Sequence, residues 1–330
     1  RYFALTAVRK LVLQAAFEPV VNELAQNAGV DPILRHGGIM AITTIADERQ
    51  LEGLSEHTSK HVRLAAVVAL RRQSSPLIAM FLKDSDEDVV AEAAIAIHDI
   101  PISEAMPALA AMLNRAPERD AIIRRVLNAN FRLGQKEHVQ ALVRYAADSA
   151  NPEAMCREAL SMLSDWKSPN GRDRVLGMWR PIGERDMETV REELASSVET
   201  FGSSEASLRL LVGQLASSLE IPAAGPILIS ILRDTKMQAS KRADALISLV
   251  ELGAASPADF ERAIEDQSVE VRAAALRMVS RVFPDRAESL LATAALAGET
   301  LERQTAIMAL GETGEVSDGL RKVLRAWAEG

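Results

Sequence analysis

The sequence has few of the residues from which catalytic and metal sites are usually built. Of its 330 residues one is cysteine, five are histidine, and aromatic residues make up 4%. The single cysteine, Cys156, excludes an intrachain disulfide and a thiolate metal cage, and its apolar surroundings, EAMCREALSML, predict a buried small hydrophobe. Nucleophile elbow, HExxH, CxxC, GxGxxG and P-loop motifs are absent from the sequence. We therefore expect no catalytic, cofactor-binding or metal-binding residues in it.

The net charge and the hydropathy of the chain argue against a nucleic-acid partner and against a membrane span. The net charge is −8, which argues against a general nucleic-acid binder, because such binding depends on clustered Lys and Arg that neutralise phosphates. No run of eighteen apolar residues occurs, so we expect no membrane span. The first residue is Arg1 and no signal-peptide core follows it, which leads us to expect a piece of a longer protein.

Four histidines and one glycine pair are the remaining candidates for metal or phosphate sites. His57 and His61 have a spacing that suits a metal, but the serines and threonine around them indicate a loop followed by a helix start. His98 and His138 are isolated and are predicted to cap helix ends or to face water. Gly37-Gly38 has no phosphate-binding motif around it and predicts close helix packing.

One pattern recurs along the chain at a spacing near thirty-two residues. An aliphatic residue is followed at plus four, plus seven and plus eight by small or aliphatic residues, as in HVRLAAVVALRR, DVVAEAAIAIHDI and VEVRAAALRMVSRV. Val62 and Val90 are 28 residues apart, and Val271 and Glu302 are 31 apart. Pairs of acidic or polar residues precede copies of the pattern and are predicted helix N-caps: Asp86 and Asp88, Asp266 and Ser268, and Glu299 and Thr300. Such a repeat predicts paired helices that bury their apolar faces only by stacking on neighbours.

The predicted fold is therefore all-α, a right-handed α-solenoid, or α-α superhelix, formed by one domain over residues 1–330. Regular repeats are expected at about 31–165 and 206–330, with an irregular insertion at about 166–205. Ala66, Ala94 and Ala275 fall at the plus-four position, where close packing on the neighbouring helix is expected.

The insertion gathers two tryptophans and several arginines beside a Pro-Asn-Gly turn. Its candidate residues for docking a partner are Trp166, Arg172, Arg174, Trp179 and Arg180. In one interpretation the tryptophans plug a gap in the stack of repeats. In the other they anchor a protein partner, because Trp and Arg are enriched among binding hot spots. The sequence leaves both interpretations open.

The pattern VRxxAxxAL resembles the HEAT repeat, and Arg63 and Arg272 fall on the arginine of that motif. These two arginines and the charged residues around them, such as Arg72, Glu92 and Glu302, are expected on solvated helix faces. The resemblance to HEAT repeats covers most of the chain and implies a scaffold of stacked helical repeats.

A narrower resemblance lies between Lys60 and Pro181, in four stretches of sequence. They are HVRLAAVVALRRQ, VVAEAAIAIHDIPISEAMPALAAML, IIRRVLNANFRLG and REALSMLSDWKSPNGRDRVLGMWRP. They resemble the helical segment of large secreted proteins of planctomycetes, which follows a sugar-dehydrogenase-like β-propeller and precedes a c-type cytochrome domain. This resemblance implies a periplasmic or otherwise exported parent protein, with a cytoplasmic location as the alternative. No covalent c-type haem is expected in this chain, because it has no CxxCH motif.

Three functions remain open. The favoured one is a non-catalytic scaffold that links dehydrogenase-like and cytochrome domains of the same chain. The second is a free-standing adaptor that binds a protein partner on a concave face. The third is an enzyme built on HEAT-like repeats, of the DNA glycosylase or bilin lyase type, against which the net charge of −8 counts.

Overall fold

Helices form nearly all the regular structure in residues 1–115, 119–312 and 318–329, which are the residues that the computed structural model describes. Up to residue 164 the α-helices are α1 Tyr2–Leu11, α2 Phe17–Asn27, α3 Pro32–Ile45, α4 Glu48–Gly53, α5 Lys60–Gln73, α6 Glu87–Asp99, α7 Met106–Ala111, α8 Asp120–Leu133, α9 Lys136–Ala147 and α10 Glu153–Ser164. After residue 185 they are α11 Glu188–Ser197, α12 Ala206–Ser218, α13 Gly225–Arg233, α14 Ala239–Glu251, α15 Pro257–Ile264, α16 Val269–Val282, α17 Pro284–Ala297, α18 Thr300–Gly311 and α19 Asp318–Ala328.

Short 3-10 helices occupy several connections, and one of them, Pro76–Lys83, takes the place of a full helix before α6. Across the described ranges there is no strand, and the β-type pairing consists of one antiparallel bridge between Arg172 and Trp179. The prediction of an all-helical chain is confirmed.

The chain forms two compact units. Unit 1 consists of Arg1–Tyr145 and Asp165–Arg185, and unit 2 of Ala146–Ser164 and Asp186–Gly330. Unit 1 is therefore discontinuous in sequence, because the segment Asp165–Arg185 belongs with helices that precede it by dozens of residues. In the second half of the predicted insertion, helix α11 and the 3-10 helix Val198–Ser203 lie in unit 2.

Within each unit the helices pack in series. In unit 1, α3 packs on α5, α5 on α6 and α6 on α8, while α2, Pro76–Lys83 and α7 pack beside this row. In unit 2, α12 packs on α14, α14 on α16 and α16 on α18, with α13, α15 and α17 beside them. Small residues allow neighbouring helices to pack closely. A Cβ added to Gly38 on α3 would lie 2.6 Å from Cδ2 of Leu24 on α2, which is too close for two carbon atoms. The close packing predicted for Gly37-Gly38 is thus confirmed.

One residue of each predicted pair is the N-cap of its helix: Asp86, Ser268 and Glu299. The carboxylate of Asp86 accepts a hydrogen bond from the backbone N–H of Asp88 at 2.9 Å, and the Ser268 hydroxyl accepts one from Glu270 at 3.3 Å. Glu299 forms a capping box with Glu302. Each cap satisfies a backbone N–H that the helix itself leaves without a partner.

An arginine at the fourth position of three helices links its repeat to the next. Arg63 of α5 binds Asp84 through two nitrogens, at 2.7 and 2.9 Å, and donates to the carbonyl of His57. Arg272 of α16 binds Glu302 in the same way and donates to the carbonyl of Asp266. Arg242 of α14 pairs with Asp266.

The prediction of solvated charges at these positions is wrong for Arg63, Arg272 and Glu302. Their side chains are only 11%, 18% and 12% exposed. The reason is that each planar guanidinium has a carboxylate of the following repeat in front of it and backbone carbonyls behind it, so that its donors are used while its stem is covered.

A larger side chain at a buried helix contact tests the register assigned to the repeats. Ala275 on α16 has no exposed surface, like Ala66 and Ala94 on their helices. We expect Ala275→Leu to lower the free energy of unfolding by about 1–3 kcal/mol, because three added carbons must displace the neighbouring helix. The measurement is a urea titration, with Ala121→Leu on the exposed side of α8 as the control. Equal midpoints for the two variants would show that the repeats are in another register.

Candidate functional site

The segment Asp165–Arg185, here called the strap, lies on unit 1 and contains every residue that the sequence predicted for docking. It folds into a short hairpin. The Asp173 backbone N–H donates to the Met178 carbonyl at 2.8 Å, and the Arg180 N–H donates to the Gly171 carbonyl at 2.8 Å. The Asp173 carboxylate accepts from the backbone N–H groups of Val175 and Leu176, which closes the turn.

Trp166 attaches one end of the strap to helix α8. Its side chain is 2% exposed, and its ring meets the ring of Phe131 edge to face with centroids 5.7 Å apart. The Arg185 guanidinium lies 4.7 Å from the Trp166 ring centroid and 5.7 Å from that of Phe131. Such stacked aromatic and cation–π contacts stabilise a surface segment by more than the apolar area alone.

Two arginines of the strap satisfy carbonyl groups at helix C-termini. Arg180 donates to the carbonyls of His98 and Asp99 at the end of α6, at 3.1 and 2.6 Å. Arg185 donates to the carbonyls of Phe131 and Arg132 at the end of α8, at 2.5 and 2.8 Å. These carbonyls have no partner inside the helix and carry the negative end of its dipole, so a guanidinium is a favourable cap.

Gly134, which follows α8, makes room for the second of these arginines. Its φ of +69° is left-handed, and a Cβ on it would lie 2.4 Å from Cζ of Arg185. The left-handed backbone therefore favours a glycine there, and a larger residue would also have to displace the Arg185 guanidinium.

Beneath the strap is a buried polar network centred on His98, whose side chain is 1% exposed. Nδ1 of His98 lies 2.9 Å from Oδ1 of Asp99, and Nε2 lies 2.8 Å from Nδ2 of Asn128. Asn128 also donates to Oδ2 of Asp173 on the strap at 2.8 Å. Arg132 lies 3.6 Å from the same oxygen. The network thus joins α6, α8 and the strap through three buried side chains, those of His98, Asn128 and Asp173.

The partners of His98 assign its tautomer. A carboxylate can only accept, so Nδ1 carries the proton and donates to Asp99, while Nε2 accepts from the Asn128 amide. On the Nδ1 side of the His98 ring, Arg125 donates to both oxygens of Asp99, at 3.0 and 2.9 Å. His98 is therefore neutral, with both ring nitrogens satisfied.

The pKa values follow from these surroundings. Burial lowers the pKa of His98 below its ordinary value, and this outweighs the nearby carboxylates of Asp99 and Asp173. Burial raises the pKa of Asp173, but the hydrogen bonds from the backbone N–H groups of Leu176 and Val175 and from Asn128, together with the nearby His98, bring the pKa below its usual range. The pKa of Asp99 is likewise lowered, because the hydrogen bonds from Arg125 and His98 outweigh the effect of burial.

The predicted docking residues separate into two groups. Trp166 is buried, Arg174 pairs with Asp165 at 2.6 Å beside the Phe131 ring, and Arg180 caps α6. Trp179 and Arg172 instead lie on the outer side of the hairpin. Trp179 is 71% exposed, and its ring lies against Gly171, where an added Cβ would be 2.4 Å from Cη2.

The histidines and the cysteine singled out in the sequence lie on helices and their connections. His57 lies in the connection before α5 and accepts from the Ser59 N–H, whereas His61 lies within α5, as predicted. His138 accepts from the Gln135 N–H and caps α9, also as predicted. The prediction for His98 is wrong, because the returning strap covers it. Burial raises the pKa of the Cys156 thiol to about 11, so it remains a thiol at neutral pH.

In the parts of the chain that the structure describes, no group of three or more His, Cys, Asp or Glu side chains is arranged to hold a metal ion. The same described residues include no helix with the length and apolar character needed to cross a membrane.

Three residues of the network were missed by sequence reasoning: His98, Asn128 and Asp173. A signal was present for two of them, since His98 interrupts the apolar run IAIHDI and Asn128 the run VLNANF. A polar residue at an apolar position of a helix predicts a buried partner, although it does not identify that partner.

No protein-family model matches the sequence, and no curated protein matches it either.

Proposed function

We propose that this chain is a non-catalytic scaffold of HEAT-type repeats that forms an α-solenoid and positions other protein domains. The observation that carries the proposal is the serial packing of helices in each unit, together with the arginine that links successive repeats at Arg63, Arg242 and Arg272. Each repeat contacts mainly the repeats next to it, and this organisation gives repeat proteins their extended binding surfaces.

We place the docking surface on the outer side of the strap, at Arg172, Met178 and Trp179. Met178 is 55% exposed and adjoins Trp179, so two large apolar side chains face solvent together. The hairpin bonds behind them fix the backbone, which lowers the entropy lost on binding. A fixed, exposed Trp beside an Arg has the composition of a binding hot spot.

The resemblance between Lys60 and Pro181 supports a more specific role. Three of the four similar stretches supply His98, Asn128 and Asp173, which hold the strap on unit 1. On this basis we propose that the chain links a dehydrogenase-like domain to a c-type cytochrome domain in an exported redox protein, and that the strap contacts one of them.

Site-specific photocrosslinking tests the docking surface. Position 179 would carry p-benzoylphenylalanine in the full protein, produced in the cells that encode it, with position 308 as the control because Met308 is 68% exposed. We expect one adduct from position 179, reduced by excess unlabelled protein but not by the Trp179→Ala protein. A link to another domain of the same chain supports the redox linker, and a link to a separate polypeptide supports the adaptor. Identical adducts from both positions, or none from 179, would refute docking at the strap.

A further inference from the structure

The polar network under the strap has a property that a purely structural lock does not need: its hydrogen bonds require a neutral histidine at the centre. Both N–H groups of the Asn128 amide are used, one toward Nε2 of His98 and one toward Oδ2 of Asp173. A proton on Nε2 would place two donors against each other across 2.8 Å. Turning the Asn128 amide would relieve this clash, but it would take the Asn128 donor away from Asp173 on the strap. Oδ2 of Asp173 would then face the charged ring across 3.5 Å, a longer contact than the 2.8 Å hydrogen bond from Asn128 that it replaces.

The carboxylates nearest His98 are already paired with arginines. Asp99 on α6 is bound by Arg125 of α8, and Asp173 lies 3.6 Å from Arg132 of α8. Both carboxylates favour a charged ring, whereas Arg125 and the burial of the ring oppose it, and burial has the largest effect, so the neutral form is favoured.

Helix α5, the 3-10 helix Pro76–Lys83 and helix α7 also pack against α6. Helix α7, MPALAA, has no titratable side chain, and the titratable side chain of Pro76–Lys83 is that of Lys83. The ion pairs of α5 with residues on or next to α6 are Lys60 with Asp86 and Asp88, Arg63 with Asp84, and Arg71 with Glu92.

We infer that the strap is an acid-released latch: protonation of His98 frees Asp165–Arg185 from unit 1 while the helices remain folded. The separation is possible because the strap is a hairpin with its own backbone hydrogen bonds, whereas the row of helices beneath it is held by apolar packing. Release would expose the Trp166 ring and remove the caps of α6 and α8. The inference concerns how the strap is attached and does not depend on whether Trp179 binds a partner.

The direction of the pH effect follows from linkage. The pKa of His98 is lowered by folding, so its contribution to strap attachment is complete above the ordinary histidine pKa of about 6.5 and is lost as the pH falls below it. One proton changes the equilibrium by at most about tenfold per pH unit. The carboxylates of Asp99 and Asp173 titrate lower and in the same direction, so a window of about pH 5–7.5 isolates the histidine.

Acrylamide quenching of a protein that keeps only Trp166, followed between about pH 7.5 and 5, measures strap release, because the buried ring becomes exposed when the strap leaves unit 1. We expect the ratio of exposed to buried Trp166 to rise by up to about tenfold per pH unit below 6.5. Hydrogen exchange of α5, a helix of the same unit, measures unfolding, and its peptides are expected to keep their protection. Unchanged or decreased quenching of Trp166 at pH 5 would overturn the inference, as would loss of protection in α5.

Two variants identify the titrating group. His98→Gln keeps an acceptor for Asn128 without a titrating ring, and we expect the acid response of the strap to disappear. His138 is the control, because burial also lowers its pKa and it faces Glu137 and Arg185; His138→Gln is expected to retain the response. If the response instead followed His138, the assignment to His98 would be wrong. Should His98→Gln fail to fold, the wild-type profile and the His138→Gln variant still decide the question.

Discussion

Replacing Trp166 with alanine is expected to lower the free energy of unfolding by about 3–5 kcal/mol. The ring is almost fully buried between Phe131 and the Arg185 guanidinium, so its removal leaves a cavity and also separates the strap from α8. Because the strap caps two helices of unit 1, the loss is expected to reach α6 and α8. Urea titration followed by circular dichroism gives the total effect, and hydrogen exchange shows which helices lose protection.

Trp179→Ala is the matched control for this prediction, since it removes the same side chain from the same strap. Trp179 is mostly exposed, and its alanine variant is expected to change stability by less than about 1 kcal/mol. The reverse order, with Trp179→Ala more damaging than Trp166→Ala, would mean that the strap lies on unit 1 by its other side.

The second large effect is expected for Asp173→Ala, at about 3–5 kcal/mol. The carboxylate accepts from Asn128 and from two backbone N–H groups of the turn, and it lies opposite Arg132. Its removal leaves the buried Asn128 amide without this acceptor and takes away the negative charge opposite the Arg132 guanidinium. Thermal and urea unfolding measure the loss.

Asp173→Asn separates charge from hydrogen bonding, because the amide oxygen can still accept from the turn. We expect about half the loss seen with alanine. Glu184→Ala, at an exposed acid of the same strap, is expected to have almost no effect. A double-mutant cycle between Asp173→Ala and Asn128→Ala is expected to give a coupling of at least about 0.5 kcal/mol. Additive losses would show that the two side chains do not interact.

The helices could be predicted because the residues that determine each helix lie close together in the sequence. Ala66, Ala94 and Ala275 lie at helical spacing within single motif copies, and all three are fully buried. The caps at Asp86 and Ser268 lie next to the helices they begin. Such features depend on residues within a few positions of each other, so one sequence is enough to identify them.

The strap could not be predicted, because its contacts join residues that are far apart in the chain. Asn128 and Asp173 are 45 residues apart, and Arg180 and His98 are 82 apart. Neither composition nor periodicity indicates that a chain will return to an earlier unit after helix α10. The same limit explains why Arg63 and Arg272 were expected in solvent: their carboxylate partners lie in the following repeat.

The two tryptophans of the strap illustrate the limit further. Trp166 and Trp179 lie in the same short, basic, irregular segment, and the sequence allowed both to be plugs or both to be anchors. The structure gives them opposite positions, because the hairpin at Asp173 reverses the chain between them. Similarly, Arg172, Arg174 and Arg180 look alike in sequence, yet Arg180 binds helix carbonyls and Arg172 lies outside.

The most direct test of this account is acrylamide quenching of two single-tryptophan proteins at about pH 7.5. One keeps only Trp166 and the other only Trp179, with phenylalanine at the remaining tryptophan positions, including Trp327. If the strap lies on unit 1 as described, the Trp166 protein will emit at short wavelength and resist quenching, while the Trp179 protein will be quenched nearly as readily as free indole. Equal quenching of the two proteins would contradict the account, because it would mean that the strap is not attached through Trp166.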